Sequence, residues 1–184
     1  MKTLAVIQTL ARIGRVICKV LFVCCIVGFC LCLAGVFSLA LGAETFKLGG
    51  VTVRGLIENN GGANQPTVCA KLIVGAVFCA AEAFLSKRAG SYFQNELADG
   101  TPFTLRGAKE LMNLGILTAA VSLGAVILCS IGLSIANNAY PGLDELSLDE
   151  YSSVGVGVAM IVLSLLCRCG AEMLEEKSEE QKTE

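Results

Sequence analysis

Three stretches of this chain carry no Asp, Glu, Lys or Arg: Val20 to Ala43, Leu111 to Leu143 and Tyr151 to Cys167. An α-helix rises about 1.5 Å per residue, so the roughly 30 Å hydrocarbon core of a bilayer takes about 20 such residues, with about 17 as the lower limit. The first two runs pass comfortably, and the third, at 17 residues, passes narrowly. A fourth apolar stretch, Pro66 to Ser86, is interrupted by Lys71 near one end and Glu82 near the other. Charged residues make up 16% of the chain, against roughly a quarter in soluble domains, which is too few to solvate a surface in water. The expected fold is therefore all-α, an integral membrane four-helix bundle in contact with the lipid bilayer. Its spans are expected near residues 16–41, 66–85, 111–136 and 151–167. The first run reads as an uncleaved span, because 19 residues precede it and it exceeds the roughly 7–15 residues of a signal core.

An even number of spans puts both termini on one side, and Lys and Arg decide which. Lys2, Arg12, Arg15, Lys19, Lys87, Arg88, Arg106, Lys109, Arg168, Lys177 and Lys182 fall on the terminal side or in the middle loop; only Lys47, Arg54 and Lys71 fall opposite. Positive charge gathers on the cytoplasmic side of membrane proteins, so cytoplasmic termini and a cytoplasmic middle connection are expected. The acidic excess lies in the tail, residues 175–184, which reads as a disordered, solvated end.

The middle connection, residues 86–110, reads as a helical hairpin. Leu85, Ala89, Phe93 and Leu97 recur every four residues, so the second helix is expected to continue past the membrane, weakened at Gly90. Asp99-Gly100 supplies turn chemistry, Pro102 holds Thr101 extended, and Thr104 is placed to cap a helix starting at Leu105. With Phe103, the residues Asp99, Gly100, Pro102 and Thr104 are the candidate interaction site. The first external loop holds TFKLGGVTVR, Thr45 to Arg54, whose alternation around two glycines predicts a small β-hairpin. Glu58 to Pro66 reads as loop.

PFT at Pro102–Thr104 and RCGAEMLEE at Arg168–Glu176, placed respectively in the middle hairpin and just after the fourth span, make this chain resemble a bacterial family known as domain of unknown function 2975 (DUF2975). The resemblance covers spans two to four best. It implies a small four-span protein of the bacterial cytoplasmic (inner) membrane and, because some members lie beside genes for helix-turn-helix regulators, a regulatory setting; it implies no assigned reaction. The chain departs from the family pattern at Leu105-Arg106-Gly107, where a reciprocal capping box would need Glu or Gln at the third helical position, and in its KSEEQKTE ending.

No His occurs, which removes the usual near-neutral general base and the commonest metal ligand. Neither a catalytic residue, a metal site nor a cofactor is expected, and the absence of a basic block argues against direct nucleic-acid binding. Ten cysteines raise a redox alternative. Cys18, Cys24, Cys25, Cys30 and Cys32 lie in or beside span one, Cys69 and Cys79 in span two, Cys129 in span three, and Cys167 and Cys169 at the end of span four. Thiols inside spans act as small apolar packing groups, and a membrane thiol oxidoreductase would need cysteine pairs in the external loops, which hold none. Cys167-x-Cys169 beside Arg168 is the sharpest exception, yet it offers only two ligands.

Lys71 and Glu82 are candidate intramembrane polar groups. Eleven residues apart, they share a helix face but stand about 16 Å apart along the axis, too far for a direct pair. Lys71 is expected to snorkel outward, and Glu82 to pair near the inner boundary with Lys87, Arg88 or Arg168. Small residues at Ala34, Ser38 and Gly42, and at Ala120 and Gly124, are expected to let helices approach closely, within the bundle or in a homo-oligomer. The leading functional expectation is a nonenzymatic interaction or regulatory membrane protein that meets a cytoplasmic protein partner through its hairpin. The alternatives are a small oligomeric transporter or channel subunit using Glu82 and, behind it, a thiol oxidoreductase.

Overall fold

Four long helices form where the sequence withholds charge, and each runs beyond its uncharged stretch. In a computed structural model, which describes residues 2–40, 47–48, 51–52, 65–99, 104–139, 148 and 153–183, the order is α1 (Lys2–Ala40), β1 (Lys47–Leu48), β2 (Val51–Thr52), α2 (Gln65–Asp99), α3 (Leu105–Ala139) and α4 (Val154–Thr183). Pro66 stands in the first turn of α2, where its missing N–H costs no helical bond. Gly90 does not interrupt α2. Residues 175–183, expected as a disordered end, continue α4 to Thr183; Glu, Gln and Lys are strong helix formers, and propensity prevails over the lack of an apolar face. Lys47 pairs with Thr52 and Leu48 with Val51 in an antiparallel ladder too short to add a sheet layer, so the architecture is all-α. Gly49 and Gly50, on which the expected hairpin turned, lie outside the described residues.

All four helices contain a stretch long and apolar enough to cross a membrane: Ala11–Ala40, Pro66–Asn95, Leu105–Asn138 and Val154–Glu172. Their surfaces name the solvent. Along α1, eleven large apolar side chains from Ile13 to Phe37 are exposed, and α4 exposes six more from Val156 to Leu166. A soluble protein does not present apolar surface of that extent to water, whereas lipid chains cover it without cost. The protein is integral to a membrane.

The packed residues fall into two units. The first comprises Met1–Phe22, Phe84–Leu123 and Ser153–Glu184; the second comprises Val23–Ala83 and Gly124–Ser152. In the first, α3 and α4 meet backbone to backbone. A Cβ on Gly115 would lie 2.9 Å from the Gly157 carbonyl oxygen, and one on Gly157 would lie 2.8 Å from the Ala119 nitrogen. Seven residues from each glycine, Ser164 Oγ donates to the Ala108 carbonyl at 3.0 Å. Ala108, Gly115 and Ser122 on α3, and Gly157, Ser164 and Ala171 on α4, all recur every seventh residue and are all buried. A heptad of small residues keeps one narrow seam facing its neighbour over successive turns. Thr118, also buried, closes its hydroxyl onto the Leu114 carbonyl four residues back, at 2.8 Å. Also in this unit, the Phe93 ring fills the notch left by Gly14, and Cys18 sits against Gly90, so α1 and α2 run antiparallel there.

In the second unit α1 and α2 interlock by alternating size. Gly28 receives Cys79, Gly75 receives Cys32 and Gly35 receives Leu72, each step forward on α1 matched by a step back on α2. The small-residue contact expected at Ala34, Ser38 and Gly42 is thus shifted by one position to Gly35; Ala34 and Ser38 are half-buried and Gly42 lies outside the described residues. Ala120 is exposed, and a Cβ on Gly124 would meet nothing within 4 Å, so that predicted face is not where these helices join. The apolar centre of the second unit is Val74, Phe78, Ala125 and Cys129, with Leu148, a residue outside any helix, packed against it.

Candidate functional site

The predicted interaction site sits where α2 ends and α3 begins. Asp99 is the last residue of α2, and Thr104 immediately precedes α3. Gly100, Pro102 and Phe103 lie outside the described residues. Thr104 does what its position predicts: its Oγ1 accepts from the Gly107 backbone N–H at 3.0 Å, and its carbonyl accepts from the Ala108 N–H at 3.0 Å. One otherwise orphaned donor of the first turn is thereby satisfied. With glycine as the third helical residue, no side chain reaches back to complete the box.

The two helix ends are also joined side to side. Asn95 Nδ2 donates to Glu110 Oε2 at 3.0 Å, while Glu110 Oε1 takes Arg106 Nε at 3.3 Å. Glu110 therefore spends both oxygens, one tying α2 to α3 and the other stiffening the first turns of α3. On the other side of α2, Arg15 Nη2 donates to Gln94 Oε1 at 3.4 Å, and Phe93 meets Tyr92 edge to face at 5.5 Å. The Asn95–Glu110 tie was not legible in the sequence: both residues look like solvated polar positions, and only the antiparallel register of two separate helices brings them together.

Lys71 and Glu82 both lie on α2, Lys71 exposed and Glu82 half-buried. Arg168 Nε holds Glu172 Oε1 at 2.9 Å, one turn along α4, and the Arg88 guanidinium lies 5.5 Å from the centre of the Phe84 ring, where the ring face attracts a cation. No family model, curated protein or solved structure matches the chain. All ten cysteines are free thiols, with Cys18 and Cys129 buried and Cys24, Cys30 and Cys169 exposed. Among the described residues, no three His, Cys, Asp or Glu side chains gather closely enough to hold a metal ion. Among the described residues, Thr67 Oγ1 is fully buried without a hydrogen-bond partner.

Proposed function

We propose that this is a nonenzymatic bacterial inner-membrane protein of the DUF2975 type, with both termini in the cytoplasm, whose hairpin at residues 86–110 docks a soluble cytoplasmic protein. The observation that carries the reading is the Glu110 bridge together with the Thr104 cap. A connection that only had to return the chain across the membrane would need about four residues. Here two helices are extended, tied to each other and capped, which makes a shaped surface rather than a tether. Eleven of the 14 Lys and Arg residues lie on the terminal side and in this connection, in line with a cytoplasmic placement. Similarity to DUF2975 rests on Pro102–Thr104 and Arg168–Glu176.

The test is photocrosslinking in intact cells from Lys109, an exposed residue on the hairpin. A soluble partner captured by the parent chain is expected to be lost on Phe103→Ser with Thr104→Ala, while resistance of the variant to alkaline extraction from membranes is unchanged. Equal capture by both chains refutes the hairpin's role. Orientation has its own readout: an impermeant thiol reagent is expected to reach a cysteine introduced at Asp144 from outside the cell and not one introduced near Lys2.

A further inference from the structure

A basic stripe on α1 and a polar stripe with one lysine on α2 face the same side of the α1–α2 pair within the first unit. On α1, Arg12, Arg15 and Lys19 recur at i, i+3 and i+7, one face of a helix. On α2, Lys87, Ser91 and Gln94 recur at i, i+4 and i+7. The register is fixed by Phe93 against Gly14 and Cys18 against Gly90. The hydrogen bond from Arg15 Nη2 to Gln94 Oε1, 3.4 Å, shows that the two stripes flank one groove. Because that oxygen is the acceptor, the Gln94 amide N–H donors are not spent in this bond.

Among the described residues the charge of this groove is unbalanced. Arg12, Lys19 and Lys87 are exposed, and none has a carboxylate within ion-pair reach among the described residues, in contrast to Arg106 and Arg168, which hold Glu110 and Glu172. The cations rise about 10 Å along α1, and apolar surface adjoins them: Val16 and Val20 are 59% and 56% exposed. Beyond Lys19, α1 carries no further charge to its end. A ligand filling the groove must offer an anion at one end and alkyl surface next to it. A free phosphate offers only the first, and an acidic segment of a soluble protein would leave Val16 and Val20 against its own polar backbone.

We infer that the groove of Arg12, Arg15, Lys19 and Lys87 is a binding site for the phosphodiester headgroup of an anionic phospholipid, whose acyl chains lie along the exposed valines of α1. Arg and Lys meet the phosphate oxygens by charge-assisted hydrogen bonds, and the Gln94 amide adds a neutral donor; the Ser91 hydroxyl is spent on the Lys87 carbonyl at 3.2 Å. The inference rests on the bilayer reading of the chain and is independent of a protein partner at the hairpin.

The test uses the full chain, delipidated in neutral detergent, titrated with phosphatidylglycerol or phosphatidylcholine and followed by native mass spectrometry. A Lys or Arg near an anionic surface strengthens binding on the order of fivefold. Phosphatidylglycerol is therefore expected to bind at least about tenfold more tightly than phosphatidylcholine, with the preference shrinking as salt is raised. The variant Arg12→Gln, Lys19→Gln, Lys87→Gln is expected to lose the preference. The charge-matched control Arg106→Gln, Lys109→Gln, Arg168→Gln is expected to keep it. Millimolar inorganic phosphate is expected not to displace the lipid. Equal affinity for the two lipids overturns the inference, as does equal loss in both triple variants or displacement by inorganic phosphate. Should the first variant fail to fold, the parent chain decides: a headgroup preference that is absent, or indifferent to salt, refutes the site. Failure of the bilayer reading itself would appear separately, as release of the parent chain from membranes at alkaline pH.

Discussion

Replacing Gly157 by alanine adds one methyl group where the backbones of α3 and α4 meet. Its Cβ would stand 2.8 Å from the Ala119 nitrogen, 2.9 Å from the Gly115 carbonyl oxygen and 3.0 Å from the Ala119 Cβ. Two of these atoms are backbone, so no side-chain rotation relieves the clash; α4 must move away from α3. Over-packing of this kind costs about 1–3 kcal/mol. A retreat of even half an ångström also stretches the 3.0 Å bond from Ser164 to the Ala108 carbonyl, one heptad away, for roughly another 0.5–1.5 kcal/mol. The expected loss is about 2–4 kcal/mol by these ranges. The control is Gly124→Ala, where a Cβ meets nothing within 4 Å and helix propensity alone predicts a gain of up to about 1 kcal/mol. Reversible unfolding in mixed micelles, followed by helical circular dichroism, measures both. Adding Gly115→Ala to Gly157→Ala is expected to cost less than the sum of the single changes, because one separation relieves both clashes. If Gly157→Ala is no worse than Gly124→Ala, the seam does not hold these helices together.

Other consequences are local. Thr104→Ala removes the acceptor of the Gly107 N–H and is expected to cost about 1 kcal/mol, read as faster hydrogen exchange at Gly107 and Ala108 and restored by Thr104→Ser or Thr104→Asn. Ser164→Ala deletes one interhelical bond and leaves no unpaired donor, so its expected cost is smaller, on the order of 0.6 kcal/mol as is typical of such bonds in membranes, measured by the same unfolding assay. Alkylation by a membrane-permeant maleimide is expected to modify Cys169, which is exposed near the end of the fourth span, well before Cys18 and Cys129, which are buried; peptide mass mapping over time gives the order, and early labelling of Cys129 would contradict the packing.

The sequence reports solvent more openly than it reports contact. Runs without charge mark where water is absent, so the four helices were legible from Val20, Pro66, Leu111 and Tyr151 onward. Their ends were not, because a helix continues into water wherever propensity allows, as α4 does through Glu175–Thr183. The capping role of Thr104 was legible because a cap depends on neighbours only a few residues away. The seams were harder. A search for small residues spaced by four finds Ala120 and Gly124, which lie on an open face, and passes over Ala108, Gly115 and Ser122, which recur by seven and are buried. The signal was present, but the two sets start from different phases of the helix: Ser122 is two residues from both Ala120 and Gly124 and so lies across α3 from them. The Glu110 bridge had no sequence signal, since nothing local distinguishes a polar residue paired across two helices from one paired with water.

The cysteines gain a physical role from the same seams. Within the second unit, α1 offers glycine at positions 28 and 35 where α2 offers Cys79 and Leu72, and α1 offers Cys32 where α2 offers Gly75. A thiol is here the larger half of a size-matched pair, large enough to fill a glycine notch and small enough to let the axes stay close. That makes a quantitative demand on Gly28 and Cys79, since a Cβ at Gly28 would lie 3.1 Å from Cys79 Sγ. Gly28→Ala alone is expected to destabilise by over-packing, and Cys79→Ala alone by leaving a cavity, each by roughly 1–2 kcal/mol. Combined, the added methyl group occupies the space that the sulfur vacates, so the double variant is expected to recover most of the loss, a coupling of at least about 1 kcal/mol. Strict additivity in a double-mutant cycle of unfolding free energies would therefore remove volume as the reason for sulfur at this position.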